Sequence, residues 1–208
     1  MEKNLLLGLA PKLGDLDKGG YARRGKKNGK ARRASHPVDA TERLQTIFID
    51  DPSFNFDYAH ILPKTEKCSV MHGHTSSVLV EIVGRPIDGM VVDFGAAKEI
   101  VRDAVRGMDH KLFINEKYVT AVDSRSVSLK FETVHGEFAI RAPKATTVTL
   151  EGEASVENLA KEALARIAPK MPDNVSSVGV YVYEGLNKGS HIIAKLHQDG
   201  ARGRRKKR

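Results

Sequence analysis

His60, Cys68, His72 and His74 fall within one short stretch of the chain, in the order H-x₇-C-x₃-H-G-H. In an extended strand alternate side chains share a face, so His72 and His74 point the same way with Cα atoms roughly 6.5 Å apart. Two imidazoles at that spacing can converge on one ion. A chain reversal between residues 60 and 72 brings a third imidazole, His60, alongside them. Three nitrogens with one position left open form the arrangement of a catalytic zinc site, and Cys68 then stands beside it as a candidate nucleophile or base. The segment therefore demands two paired strands with the histidines at their adjoining ends.

The flanking sequence supplies them. Leu44 to Phe56 is rich in β-branched and aromatic residues and reads as a first strand, interrupted at Pro52, running toward His60. Thr75 to Val83 reads as a second strand directly after His72-Gly73-His74. Turn chemistry at 84–89 is followed by a short strand, Met90 to Phe94. A helix over about 95–107 carries Ala97, Ile100, Val101, Ala104 and Val105 at helical spacing. Residues 118–150 hold three short β-type runs with a hairpin turn at His135-Gly136. A second helix starts at Ser155, an expected N-cap, and stops before Pro172; Ser177–Tyr183 and His191–Leu196 close the chain as strands. The pattern predicts an α+β fold, an antiparallel sheet with two helices packed on one face and an inserted β region at about 118–150.

At 208 residues the chain suits one domain with tails. Its charge is uneven. Residues 1–40 carry ten Lys/Arg against four Asp/Glu, and residues 201–208 carry six Arg/Lys and no acid, which leaves 18 basic and 22 acidic residues between them. The basic pI thus belongs to the tails. We expect 1–40 to be a basic disordered tail, 41–198 a single folded domain and 199–208 a second basic tail. One cysteine cannot make an internal disulfide, and neither an 18-residue apolar run nor a signal peptide is evident, so a cytoplasmic, non-membrane protein is expected.

Six motifs carry a resemblance. F-D-Y-A-H (56–60), C-S-V-M-H-G-H (68–74), G-M-V-V-D-F (89–94), M-D-H-K-L-F-I-N (108–115), A-S-V-E-N-L-A (154–160) and V-Y-V-Y-E (180–184) follow, in order, the motif set of the 6-pyruvoyltetrahydropterin synthase and 6-carboxytetrahydropterin synthase family. The resemblance covers roughly 44–196. It implies the tunnelling fold, a closed homo-oligomer with sites between subunits, a pterin substrate and a zinc ion. Matched motif by motif, His60, His72 and His74 would bind zinc, Cys68 would abstract a substrate proton, Asp109 and His110 would assist, Glu184 would anchor the pterin ring, and Ser155 and Glu157 would contact substrate.

The C-x₃-H-G-H spacing resembles the 6-carboxy branch of the 7-deazaguanine (queuosine and archaeosine) pathway, which converts 7,8-dihydroneopterin triphosphate and water to 6-carboxy-5,6,7,8-tetrahydropterin, acetaldehyde and triphosphate. The 6-pyruvoyl-forming branch and the branch that cleaves the side chain to a 6-hydroxymethyl pterin are the alternatives; the latter puts a Glu near the Cys position, and Glu66 lies close to Cys68. Thr75-Ser76 after the His-Gly-His and Gly185 after Glu184 depart from the family pattern. The insert is expected to decorate an edge.

Blander readings exist for each residue. An isolated H-x-H is more often a surface pair than a ligand set. Cys68 has lesser readings as a small buried residue or as a fourth ligand closing a structural site. His110 fits a helix C-terminus, Glu184 a solvated strand end, Ser155 a plain N-cap and Glu157 a first-turn acid. His36, His135, His191 and His197 receive no role. A rival from another class is an RNA-associating protein that binds phosphate through its tails, although aromatics are only 6%, too few to supply a stacking surface.

Overall fold

A computed structural model of the chain describes residues 43–196. The two basic tails, and the nucleic-acid reading that depends on them, lie outside the described residues. Strand β1 (Gln45–His60) pairs antiparallel with β2 (His72–Gly84), with a register irregularity between Asp50 and Asn55 around Pro52. Both strands bury alternate residues, Phe54, Phe56 and Tyr58 from β1 and Val78, Val80 and Ile82 from β2. Helix α1 (Phe94–Arg106) and helix α2 (Val156–Ile167) cover that face with Ala97, Val101, Ala104, Leu159, Ala163 and Ile167. Each large apolar side chain taken fully out of water here contributes about 1.5–3 kcal/mol. A buried imidazole among them needs its own compensation.

The expected strand at Met90–Phe94 does not form. Asp88 and Gly89 both adopt positive φ, and Ile87 and Met90 close a two-residue turn through mutual backbone hydrogen bonds of 2.8 and 3.1 Å. Beyond that turn Val91 drops into the core, 4% exposed, and Asp93 caps α1 by accepting from the Ala96 N–H at 2.8 Å. The β-branched run is spent on burial and capping instead of a ladder.

The main sheet also differs from expectation in being mixed. Its order is β7-β3-β1-β2-β8-β9, completed by β3 (Lys111–Asn115), β7 (Thr147–Leu150), β8 (Val175–Glu184) and β9 (Gly189–Lys195). β1 to β3 and β3 to β7 are parallel. Parallel neighbours need a long crossover. Here residues 116–146 provide it as a separate three-stranded antiparallel sheet, β4 (Val119–Val122), β5 (Ser126–Thr133) and β6 (Gly136–Pro143), which is the inserted region read in the sequence. That small sheet has its own apolar cluster of Val127, Leu129 and Phe131 against Ile61 and Ile114. No helix among the described residues is long and apolar enough to cross a membrane.

Candidate functional site

The β1–β2 register sets His60 opposite His72 and Tyr58 opposite His74. By alternation all four side chains share the helix-covered face. Between the two histidines, a Cβ built on Gly73 would lie 2.5 Å from the Tyr58 carbonyl oxygen, so only glycine lets the strands approach this closely. The three imidazoles meet with ring centroids 4.5 to 5.2 Å apart, and one nitrogen from each lies within 4.8 Å of the others.

Hydrogen bonding dictates which nitrogens face inward. His60, 3% exposed, donates from Nδ1 to the Ala154 carbonyl at 2.6 Å, and His72 donates from Nδ1 to the Val70 carbonyl at 2.7 Å. Carbonyls only accept, so both Nδ1 atoms carry the proton, and a ring that holds just this one proton leaves its Nε2 as a bare acceptor. Those two Nε2 atoms stand 3.0 Å apart. Two lone pairs at that distance repel unless a cation lies between them. Zinc bonds of about 2.0–2.1 Å in a tetrahedral site separate their ligands by roughly 3.3 Å, so a slight opening of the pair accommodates the ion. Burial pulls His60 below the ordinary imidazole pKa and does the same to His74, which keeps both rings neutral and able to coordinate.

Glu184, at the end of β8, supplies negative charge beside this cluster. Its Oε1 lies 3.4 Å from His74 Nε2 and 3.9 Å from His60 Nε2 and accepts a 2.8 Å hydrogen bond from the Tyr58 hydroxyl. Lys188 pairs with Oε2 at 3.0 Å. Burial alone would raise the Glu184 pKa; the Tyr58 hydroxyl, the Lys188 ammonium and His74 outweigh it and hold the carboxyl below its usual range. Tyr58 moves the opposite way, its phenol pushed well up by burial and by Glu184. A charged carboxylate gripped on both oxygens can receive two parallel donors only after Lys188 yields its place.

The depressed histidines imply a pH dependence. Between the ordinary imidazole value of about 6.5 and their lowered values, the unfolded chain binds more protons than the folded one, so stability falls as pH drops through that window. Denaturant midpoints of the metal-free protein should be lower at pH 5.5 than at 7.5, and the difference should shrink in His60→Asn. Equal midpoints for the wild-type protein at the two pH values would contradict the assignment.

Cys68 lies in the 61–71 loop between β1 and β2, half-buried, with its carbonyl accepting from the Leu62 N–H at 2.8 Å. It is not among the clustered donors. Ser155 does sit at the N-cap of α2, yet its hydroxyl makes no capping bond; it immediately follows the Ala154 whose carbonyl holds His60. Glu157 is exposed on the first turn of α2, and its carboxylate has no hydrogen-bond partner among the described residues.

Asp109 and His110 form a pair of their own. Adjacent side chains on a strand diverge, but His110 takes a positive φ of 54°, and the resulting turn lets its Nδ1 meet Asp109 Oδ2 at 2.8 Å. Asp57 locks the turn: its N–H donates to Asp109 Oδ1 at 2.9 Å and its carbonyl accepts from the His110 N–H at 2.7 Å. Burial would raise the Asp109 pKa; the Asp57 N–H and His110 outweigh it and hold it low. The Asp57 carboxylate, close to the pair, accepts from Thr75 Oγ1 at 2.5 Å. Asp57 alternates away from Tyr58 and His60, so within one chain this cluster faces the side of the sheet opposite the three histidines.

Residues 51–194 match the profile of the family described as 6-pyruvoyl tetrahydropterin synthase. The chain belongs to this family. A relative in Pyrococcus abyssi, provisionally named a 6-carboxy-5,6,7,8-tetrahydropterin synthase, is 28% identical over 150 residues, 70% of this chain and 90% of the relative. The 6-carboxy-5,6,7,8-tetrahydropterin synthase of Haemophilus influenzae is 32% identical over 109 residues, 45% of this chain and 77% of that one. In structure, the 6-pyruvoyltetrahydropterin synthase of Plasmodium vivax superposes with a TM-score of 0.63 at 20% identity, covering 74% of this chain and all of that one. The fold is thus the α+β tunnelling fold, and the protein is an enzyme of the tetrahydropterin synthase family, lyase in type, acting on a pterin.

Three residues at these two clusters received no role from the sequence, although Asp57 and Tyr58 lie within the F-D-Y-A-H motif. Tyr58 was legible, since it stands two residues before His60 on the same face. Asp57 gave no sign of its role, because its partners Asp109 and Thr75 come from elsewhere in the chain, whereas Lys188 stands only four residues after Glu184, across the turn into β9.

Proposed function

We propose that this enzyme is a zinc-dependent lyase converting 7,8-dihydroneopterin triphosphate and water to 6-carboxy-5,6,7,8-tetrahydropterin, acetaldehyde and triphosphate, in 7-deazaguanine formation in the cytoplasm. The observation that carries the metal is the pair of bare Nε2 atoms of His60 and His72 facing each other at 3.0 Å, with His74 beside them. The choice of branch is supported by the C-x₃-H-G-H spacing and by the names of the Pyrococcus abyssi and Haemophilus influenzae relatives. Zinc held by the three histidines would polarise the side-chain oxygens of the substrate and acidify the neighbouring C–H bonds. Cys68, outside the ligand set, takes up the proton.

Glu184 receives the N–C–N edge of the pterin, oriented by the Tyr58 hydroxyl on Oε1, while Lys188 swings away from Oε2. Ser155 and Glu157, at the start of α2, contact the substrate in this reading. Asp109 and His110 serve the centre of a second copy of the chain, which reconciles their role with the sheet face they occupy, and the active form is a homo-oligomer.

Incubation with 7,8-dihydroneopterin triphosphate and chromatographic identification of the pterin tests the reaction. The 6-carboxy product with stoichiometric acetaldehyde is expected; a 6-pyruvoyl or 6-hydroxymethyl product would move the enzyme to another branch. Mixing refolded Cys68→Ala with refolded His110→Ala should restore activity neither variant has alone. Failure of mixed oligomers to recover any turnover would refute the shared site.

A further inference from the structure

The β4–β5–β6 sheet forms no ladder with the six-stranded sheet, yet it reaches toward the candidate centre from three directions. At its base, the Tyr118 hydroxyl donates to Glu153 Oε1 at 2.8 Å and the Lys117 ammonium pairs with the same oxygen. Glu153 Oε2 is buried without a partner, so these two contacts are what compensate the desolvation of the carboxylate. The Glu153 backbone is itself tied down: its carbonyl accepts from Asn158 Nδ2 at 2.8 Å and from the Ser155 N–H at 2.8 Å. The next residue, Ala154, is fully buried and presents the carbonyl that takes the His60 Nδ1 proton. The first turn of the insert thus fixes the acceptor that decides which nitrogen of His60 faces the ion.

On its flank, the small apolar cluster takes in Ile61, the residue directly after His60, which is fully buried against Ile114, Val127, Leu129 and Phe131. The 61–71 loop therefore departs from a fixed point on this sheet. At its tip, His135 in the β5–β6 turn donates from Nε2 to the Glu66 carbonyl at 3.2 Å. The same carbonyl accepts from Ser69 Oγ at 2.9 Å, and Ser69 is itself fully buried. Cys68 lies between these two residues.

We propose that the β4–β5–β6 sheet is a positioning element for the active centre, holding the His60 acceptor through Tyr118 and Glu153 and the Cys68 loop through Ile61 and His135. This goes beyond the expectation that the insert decorates an edge, and it gives His135, which the sequence left without a role, a place in the machinery. It rests on reading His60 as a ligand and Cys68 as the proton acceptor. The physical logic is that of an outer support: a ligand or base held to a few tenths of an ångström by its neighbours loses affinity or rate when those neighbours go, although they touch neither metal nor substrate.

The test uses the full-length protein with Tyr118→Phe, His135→Ala, His135→Gln, and Lys130→Ala as a control that breaks only the Lys130–Glu137 pair on the same sheet. Three quantities are read: the rate of zinc release to a chromogenic chelator, the rate of Cys68 alkylation by iodoacetamide in the metal-free protein, and kcat against KM. Tyr118→Phe should speed zinc release several-fold, less than the roughly 10–100-fold effect of losing a direct partner of a ligand, because Tyr118 acts through Glu153 and Ala154. His135→Ala should change the alkylation rate several-fold and lower kcat with KM unchanged, and His135→Gln, whose amide N–H still donates, should recover both. Zinc release and alkylation in Tyr118→Phe and His135→Ala indistinguishable from those of Lys130→Ala would overturn the proposal. A protein in which both readouts move as expected but no dihydroneopterin triphosphate is consumed would refute the proposed reaction and leave the positioning role standing.

Discussion

Replacing His72 by alanine should remove the metal and, with it, all turnover above background. The reason lies in the facing Nε2 atoms of His60 and His72: an ion there would relieve their mutual repulsion, and two remaining imidazoles would not make a three-nitrogen site. With zinc at about a thousand times its dissociation constant, ligation stabilises the fold by about 4 kcal/mol, and that increment should vanish in His72→Ala. The metal-free variant should be no less stable than the metal-free parent, because the substitution also removes the lone-pair conflict. Denaturant titrations with and without zinc, alongside metal analysis, separate the two contributions. A variant that unfolds earlier even without metal would make His72 a packing residue.

Cys68→Ala should have the opposite profile. Loss of a general base costs about 10²–10⁴ in rate, while zinc content stays at the parental level because the thiol stands outside the cluster of donor nitrogens. The pair of measurements is decisive: turnover lost with zinc retained makes Cys68 the base, whereas zinc lost along with the thiol makes it a ligand and returns the site to a structural one. Cys68→Ser, with a poorer base in the same place, should fall between the two.

These expectations differ in how far they could be read without a structure. The convergence of His72 and His74 follows from the two-residue period of a strand, and the turn between β1 and β2 needs only enough residues to bring His60 alongside. Both are local rules, and the structure bears them out. The helices were equally legible from the spacing of Ala97, Val101 and Ala104 and of Leu159, Ala163 and Ile167. The run Met90–Phe94 was misread because its β-branched residues are used to fill the core and its Asp93 to cap α1, a choice made by packing against elements far away in the chain.

What only the tertiary structure decided is where the remaining site residues stand. Asp109 and His110 belong to the motif set, yet their anchoring to Asp57 turns them to the face opposite His60, a consequence of parallel pairing between β1 and β3 that no periodicity announces. Tyr58 and Glu184 are separated by 126 positions and meet because β2 lies between their strands, paired to both. Likewise the insert announced itself as three β-type runs, while its grip on Glu153 and Glu66 depended on how the crossover folds back over the 61–71 loop. The sequence by itself thus determined the family, through six ordered motifs, and the convergence of the three imidazoles, which rests on short spacings at the ends of two paired strands. Register and strand order, settled by the competition for burial among distant segments, determined which of those groups share a face.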